Sequence, residues 1–453
     1  MEESPEPPSL VEPPSDPEPL NRPASELEPA GEERLSRNRD FATLLISQSV
    51  SAAGDAVSAT AMPLLVLALT GSGLVMGIVG AISTAADFIM GTIAGALADR
   101  GDRKRMMFGA DLGRAIFTAM IPLTVMLNGP TMAVIVLVTG PLAILRAFFR
   151  AGYLAAMPNL VGRSQLARGN GILETAFSLS FIVGPAIAGF LVTVIGPGPT
   201  LALDAASFAI SSLGLFLIGR ELKAPSDRPP SRMIDDIRAG IVYVARHPVL
   251  RTVILLFATT NAVLAPVGAA LTFRIVRDLG QDPAAFGLAL TGLGAGTLVG
   301  SLFATRLDHG TNVARVLVVA VFVMGGALVA TAAIGSLAAI VGLTVVFGVG
   351  EATLVVVYIS VRAANSPDAL VGRIASTARV IALGFMPIGM LIGGVLIDSI
   401  SGTGALAIMG AAMCVLALAF SQVRGLRSAS LAPSHLLPPM IVPGSLDGIT
   451  DRA

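Results

Sequence analysis

The sequence predicts an all-α polytopic membrane protein, with twelve transmembrane helices in two pseudo-symmetric halves of six. Three observations carry that expectation. Of the 453 residues, 54% are hydrophobic and only 13% charged, and the mean hydropathy is +0.79. A soluble domain has no interior large enough to hide that much apolar surface. The apolar residues also gather into runs close to the ~20 residues a helix needs to cross ~30 Å of hydrocarbon. Finally, Lys and Arg recur in every second loop, which sets a topology.

Residues 1–40 are rich in Pro, Glu and Ser, cannot bury a core, and read as a disordered cytoplasmic tail. They show no basic n-region followed by a short apolar stretch, so no cleavable signal peptide is expected. The apolar runs then fall at 41–69, 74–97, 106–126, 131–149, 171–194 and 199–219. After a polar interval they resume at 250–273, 284–304, 312–332, 337–359, 374–397 and 403–422. Residues 41–219 thus form one six-helix bundle and 250–422 a second, with a further disordered cytoplasmic tail at 423–453.

The loops after the second, fourth, sixth, eighth and tenth spans carry Arg100 to Arg105, Arg163 and Arg168, Arg220 to Arg246, Arg306, and Arg362 and Arg373. The alternate loops, such as "TGSG", "NGP" and "GPGP", have no positive charge, and only Arg274 and Arg277 break that pattern. The positive-inside rule therefore places both termini in the cytoplasm of a cell-membrane protein. Within the long loop at 220–249, Met233, Ile237, Ile241 and Val244 share one helical stripe, opposite Asp235, Asp236 and Arg238. That pattern predicts an amphipathic helix on the inner membrane surface. A weak internal repeat agrees with the two halves. "LVGR" occurs at 160–163 and 370–373, and each copy precedes a span with a proline and close glycines, Pro185 in "GPAIAG" and Pro387 in "PIGMLIGG". The offsets are 210 and 202 residues.

Charge inside the spans marks candidate function, because ionised groups in hydrocarbon are costly. Asp55 falls mid-span in the first helix, Asp87 in the second and Glu351 in the tenth, and Arg146 lies in the inner part of the fourth. These four are the candidates for proton coupling or a substrate cavity. Burial raises a carboxyl pKa toward neutrality, so a proton on such a group can follow access to either side. Asp204, near the start of span six, reads as interfacial. Asp111 and Arg114, three apart in span three, are placed to pair.

The cytoplasmic loop after span two reads "GALADRGDRKRMM", with six charged residues between 99 and 105. Positive charge alone would orient the helices but does not call for Asp99 and Asp102. The cluster suits an ionic network that is made across helix ends in one conformation and broken in another. A cytoplasmic gate is therefore assigned to Gly95, Asp99, Arg100, Arg103 and Lys104, with Asp111 and Arg114 beneath. This loop resembles the signature loop of the major facilitator superfamily, with Gly95, Asp99, Arg100, Arg103 and Lys104 in the matching positions. "IVGPAIAG" resembles that superfamily's antiporter helix motif at Gly184, Pro185 and Gly189. The stretch "AAMPNLVGRSQLARGNGILETAFSLSFIVGPAIAG" is similar to the branch containing the enterobactin exporter and macrolide-efflux proteins. In the second half the equivalent loop, "GSLFATRLDHG", lacks the pattern.

The resemblance implies a secondary active transporter that exports a small amphipathic molecule (a drug, antibiotic or siderophore) in exchange for protons, by alternating access. Import of a small metabolite, or a non-transporting sensor or scaffold, is the alternative. The expected partners are the small-molecule substrate, protons and the lipid bilayer, with no nucleic acid, and the expected state is a monomer. No enzyme is indicated: the chain has no GxxxxGK[ST], HExxH or GxSxG motif. No cofactor is expected. Single Cys414 and three scattered histidines offer no metal site. The absence of Trp and the count of three Tyr disfavour an aromatic cage for cations.

Overall fold

A computed structural model describes residues 35, 37–162, 164–222, 233–307, 311–367 and 370–429. Most of both expected tails, and Arg163 in the repeated "LVGR", lie outside these residues. Among the described residues the regular structure is helical, with no strand. The first half comprises α1 (Arg39–Thr70), α2 (Gly73–Ala98), α3 (Arg103–Met126), α4 (Thr131–Val161), α5 (Leu166–Ile195) and α6 (Pro197–Leu217). Polar side chains start three of them: Asn38, Ser72 and Asp102 each accept a backbone N–H from the first turn of the helix that follows. Gly71, with φ 59°, ends α1 in the left-handed conformation open to glycine.

The connecting helix α7 (Met233–Arg246) leads to α8 (Pro248–Leu264), α9 (Val267–Thr272) and a π-helical turn at Phe273–Asp278. Pro266 stands at the break between α8 and α9, where it cannot donate to the preceding turn. Then follow α10 (Pro283–Ala304), α11 (Val313–Ala333), α12 (Leu337–Ala364), α13 (Val371–Gly384), α14 (Met386–Ser421) and a single turn, α15 (Arg424–Arg427).

Among the described residues eleven stretches are long and apolar enough to cross a membrane, the last being the 51 residues Val371–Ser421. That stretch makes two passes, because Ser401 (φ 78°, ψ 167°) breaks the helix as Gly196 (φ 82°, ψ 162°) does between α5 and α6. Twelve passes result. The spans run longer than their apolar cores predict: α4 continues to Val161 and α12 to Ala364, where polar turns extend them.

In the first half α1 packs on α5 and α6, α3 on α4 and α6, and α2 on α4; in the second, α12 packs on α10 and α11, and α14 on α11 and α8. The halves meet along two seams, α2 against α14 and α5 against α10. These seams repeat each other. Gly184 faces Ala56 of α1 and Gly189 faces the start of α10; 205 positions later, Gly389 faces Ala262 of α8 and Gly394 faces the start of α2. Gly196 and Ser401 keep the same interval. The structural register of the repeat is therefore 205, which corrects the 210 and 202 suggested by "LVGR" and by Pro185 and Pro387. Short motifs drift by a turn, whereas close helix crossings hold their places.

Two other expectations change. α7 does not merely lie on a surface. Gly240 abuts the Arg373 backbone of α13, and Val244 is buried while Ile241 of the expected apolar stripe is exposed. The side chains of Met233 and Ile237 lie outside the described residues. Asp204 is buried rather than interfacial, 3% exposed, because the Ser58 and Ser207 hydroxyls reach its carboxyl inside the bundle.

Candidate functional site

Among the described residues the Arg-rich loops lie at one end of the helix bundle, termed the basic end, and the loops poor in Arg and Lys at the other, the bare end. A cavity of about 800 Å³ lies between the halves, walled by α1, α3, α4 and α5 on one side and α10 and α12 on the other. Its lining residues stand at the middle of each helix or nearer the basic end, from Asp55, Arg114, Arg146, Ile182, Gly294 and Glu351 downward. The cavity therefore opens toward the basic end.

At its floor, α1 and α3 are tied by ion pairs, and α6 joins them through a ring and a hydroxyl. Arg114 Nη2 lies 2.6 Å from Asp55 Oδ1, and Arg114 Nη1 lies 3.3 Å from Asp111 Oδ1. The guanidinium also lies over the Phe208 ring, 3.8 Å from its centroid. Asp111, fully buried, accepts at 2.5 Å from the Ser211 hydroxyl, which in turn accepts from the Gln48 amide at 3.0 Å. Asp55, with 39% of its side chain exposed to the cavity, is the accessible member. Asp55 and Asp111 thus share one cation, Arg114. Gly54, next to Asp55, has no room for a Cβ, which would come 2.6 Å from Asp204 Oδ1.

A second pair stands deeper toward the basic end, where Arg150 Nη2 lies 3.1 Å from Asp87 Oδ2 and 3.2 Å from Oδ1. Arg146, one turn away, bonds only the Ser83 hydroxyl, at 3.0 Å. Glu351 lines the opposite wall and also a separate apolar chamber of about 120 Å³ within the second half. Phe149, Tyr153 and Phe177 line the α4–α5 wall, the first two stacked with ring centroids 6.4 Å apart and the last two tilted at 6.3 Å. Composition concealed that aromatic surface, because it is built mainly from Phe.

The 99–105 cluster sits at the basic end. Arg103 is buried and donates to the carbonyls of Ala98 and Ala155 and to Asn159 Oδ1, while Lys104 donates to the Ile218 carbonyl. All of these partners belong to the first half. Asp102 caps α3 and pairs with Arg105 at 3.3 Å, and Arg100 is exposed. Asp99 and Gly95 border a crevice shared with Arg150 and with Arg379 of the second half. A Cβ on Gly95 would meet nothing within 4 Å.

At the bare end the halves are closed on each other. Asp398 accepts from the Ser72 hydroxyl at 2.6 Å, from the Leu74 N–H at 3.1 Å and from the Gly73 N–H, all at the start of α2. Arg277 donates to the Gly71 carbonyl across the same seam. At the other seam Thr193 accepts from the Ala284 N–H at 3.2 Å. Pro185 and Gly189 form this crossing, while Gly184 faces Ala56 of α1; a Cβ on Gly189 would lie 2.9 Å from the Pro283 carbonyl oxygen. Sequence reasoning missed Arg150, Thr193 and Asp398.

Residues 35–448 match the family model described as transmembrane secretion effector. The multidrug efflux pump Tap of Mycolicibacterium fortuitum is 28% identical over 366 residues, covering 79% of this chain and 88% of that protein. Macrolide efflux protein A of Streptococcus pyogenes is 23% identical, covering 86% and 97%. Among solved structures, the nucleoside transporter NupG superposes with a TM-score of 0.67 at 14% identity, over 84% of this chain and 98% of that one. A bacterial homologue of the lysosomal transporter Spinster gives 0.61 at 15%, over 87% and 93%. Both share the fold. With its twelve passes, its central cavity and a family match across nearly the whole membrane domain, the chain belongs to the transmembrane secretion effectors of the major facilitator superfamily, and it is a multi-pass membrane transporter rather than an enzyme.

Proposed function

We propose that this transporter exports small amphipathic molecules in exchange for protons, with both termini and the basic end in the cytoplasm. The observation that carries the reading is Arg114 held between Asp55 and Asp111, with only Asp55 open to the cavity. A proton reaching Asp55 neutralises it, yet Arg114 keeps Asp111 as counter-ion, so no bare charge is left in the membrane. Release of the proton restores the Asp55 pair and the tie between α1 and α3. One group therefore changes charge while the scaffold around it stays compensated. The efflux relatives support the outward direction, and the positive-inside rule supports the orientation.

In this reading the present state admits substrate from the cytoplasm. Its counterpart opens the bare end and closes the crevice around Gly95, Asp99 and Arg379, with the 99–105 cluster as the gate. The test is uptake of tetramethylrhodamine by inside-out vesicles under an imposed proton gradient. Wild type accumulates the dye and loses accumulation when the gradient is collapsed. Asp55→Asn, which keeps shape but cannot ionise, is expected to bind dye yet fail to accumulate it. Full gradient-driven accumulation by Asp55→Asn would remove Asp55 as the coupling site.

A further inference from the structure

The charges that line the cavity are not all paired. Arg114 is neutralised by Asp55 and Asp111, and Arg150 takes both oxygens of Asp87. Arg146, exposed to the cavity at mid-membrane depth, bonds only the neutral Ser83 hydroxyl. A guanidinium has five N–H donors, so most of its capacity faces the cavity unused. On the opposite wall Glu351 has no hydrogen bond or ion pair among the described residues. Glu174, the other cavity carboxylate without such a pair, is exposed nearer the basic end.

Arg146 and Glu351 are thus a cation and a carboxylate without an ion pair on facing walls of the cavity, at a depth where charge is expensive. Among the described residues neither forms an ion pair within its own half, and Arg146 bonds only the Ser83 hydroxyl. Beside Arg146 runs the wall of Phe149, Tyr153 and Phe177, an aromatic surface against which a flat apolar body can pack. Behind Glu351 the small chamber lined by Leu293, Phe347 and Thr344 extends the apolar wall.

We propose that the cavity selects flat amphoteric molecules, with an anionic group on Arg146, a cationic group on Glu351 and an aromatic body along the α4–α5 wall. A ligand with both charges satisfies both walls at once. A simple cation brings no anionic group to Arg146, and a simple anion brings no cationic group to Glu351. Export sets what happens to the bound molecule; the selectivity rests on that reading only for its biological use and is measurable by binding alone.

The test is a fluorescence-polarisation titration of the purified full chain in nanodiscs with three dyes: tetramethylrhodamine, a zwitterion; its methyl ester, a cation of the same scaffold; and fluorescein, an anion. Wild type is expected to bind the zwitterion about tenfold tighter than the ester or fluorescein. Arg146→Gln should bring the zwitterion-to-ester ratio to about one by weakening only the zwitterion, and Arg146→Lys should retain most of the preference. Glu351→Gln should weaken both rhodamines about tenfold and leave fluorescein unchanged. A thermal melt of each variant verifies folding. Equal affinities in wild type, a preference that survives Arg146→Gln, or no binding of any dye would each overturn the proposal. Gradient-driven uptake of both rhodamines with equal affinity would overturn the selectivity while leaving export intact.

Discussion

Thr193 and Asp398 stand 205 positions apart and do the same thing on opposite seams: each accepts a backbone N–H from the first turn of a helix in the other half, Ala284 at 3.2 Å and Leu74 at 3.1 Å. The first N–H groups of a helix have no partner within it. Here the partner comes from across the interface, so the bare end cannot open without unpairing both helix starts. The carboxylate adds charge attraction to the positive end of α2, which the threonine cannot give α10.

Asp398→Asn keeps the shape and removes the charge. An exposed charge at a helix terminus contributes ~0.3–1 kcal/mol, so the population open at the bare end should rise about two- to fivefold. The readout is labelling of a cysteine at Phe181, in a Cys414→Ser background, by an impermeant maleimide supplied from the bare side. Thr193→Val should raise the rate less. An unchanged rate in Asp398→Asn would show that this contact does not hold the gate.

Gly189→Ala acts on the same seam by volume. The new methyl would lie 2.9 Å from the Pro283 oxygen and 3.1 Å from Gly287 Cα, backbone atoms that no side-chain rotation can clear. Overpacking of this kind costs ~1–3 kcal/mol, relieved only if α5 and α10 part at the bare end. Faster bare-side labelling is expected. A normal rate with a normal melting temperature would mean that the seam is looser than described.

His247 gives a pH effect at the basic end. It starts α8, with Nδ1 accepting the Leu250 N–H at 3.3 Å, and its ring stacks on Tyr243. Burial holds its pKa below the ordinary histidine value. As pH falls through about 6.5, the unfolded chain takes up a proton before the folded one does, so stability is whole above that value and declines below it. His247→Asn retains a capping acceptor that does not titrate. Between pH 7.5 and 5.5 the melting temperature of wild type should fall more than that of His247→Asn. Parallel declines would exclude this histidine.

The fold was legible because crossing a bilayer demands long apolar runs and a charge bias in alternate loops, and both are visible in one sequence. The paired partners were not. Asp55 and Arg114 are 59 positions apart, and nothing local to either sequence segment joins them. Arg150 and Asp398 each fell one residue beyond an assumed span, 131–149 and 374–397, where composition stops being apolar before the helix stops. Thr193 looks like any hydroxyl in a span. The 205-residue register would have matched it with Asp398, but that register rests on which glycines other helices touch.

The central claim is that the halves rock about the cavity, so that one end closes as the other opens. Electron–electron distance measurements on spin-labelled pairs in nanodiscs test it most directly. In the Cys414→Ser background, one pair is placed at Leu127 and Ser336 on the bare end and another at Asn170 and Thr305 on the basic end, all four exposed. With tetramethylrhodamine added and the pH lowered, the account predicts a longer bare-end distance together with a shorter basic-end distance. If both distances lengthen or shorten together, or neither moves while gradient-driven uptake proceeds, alternating access about this cavity is contradicted.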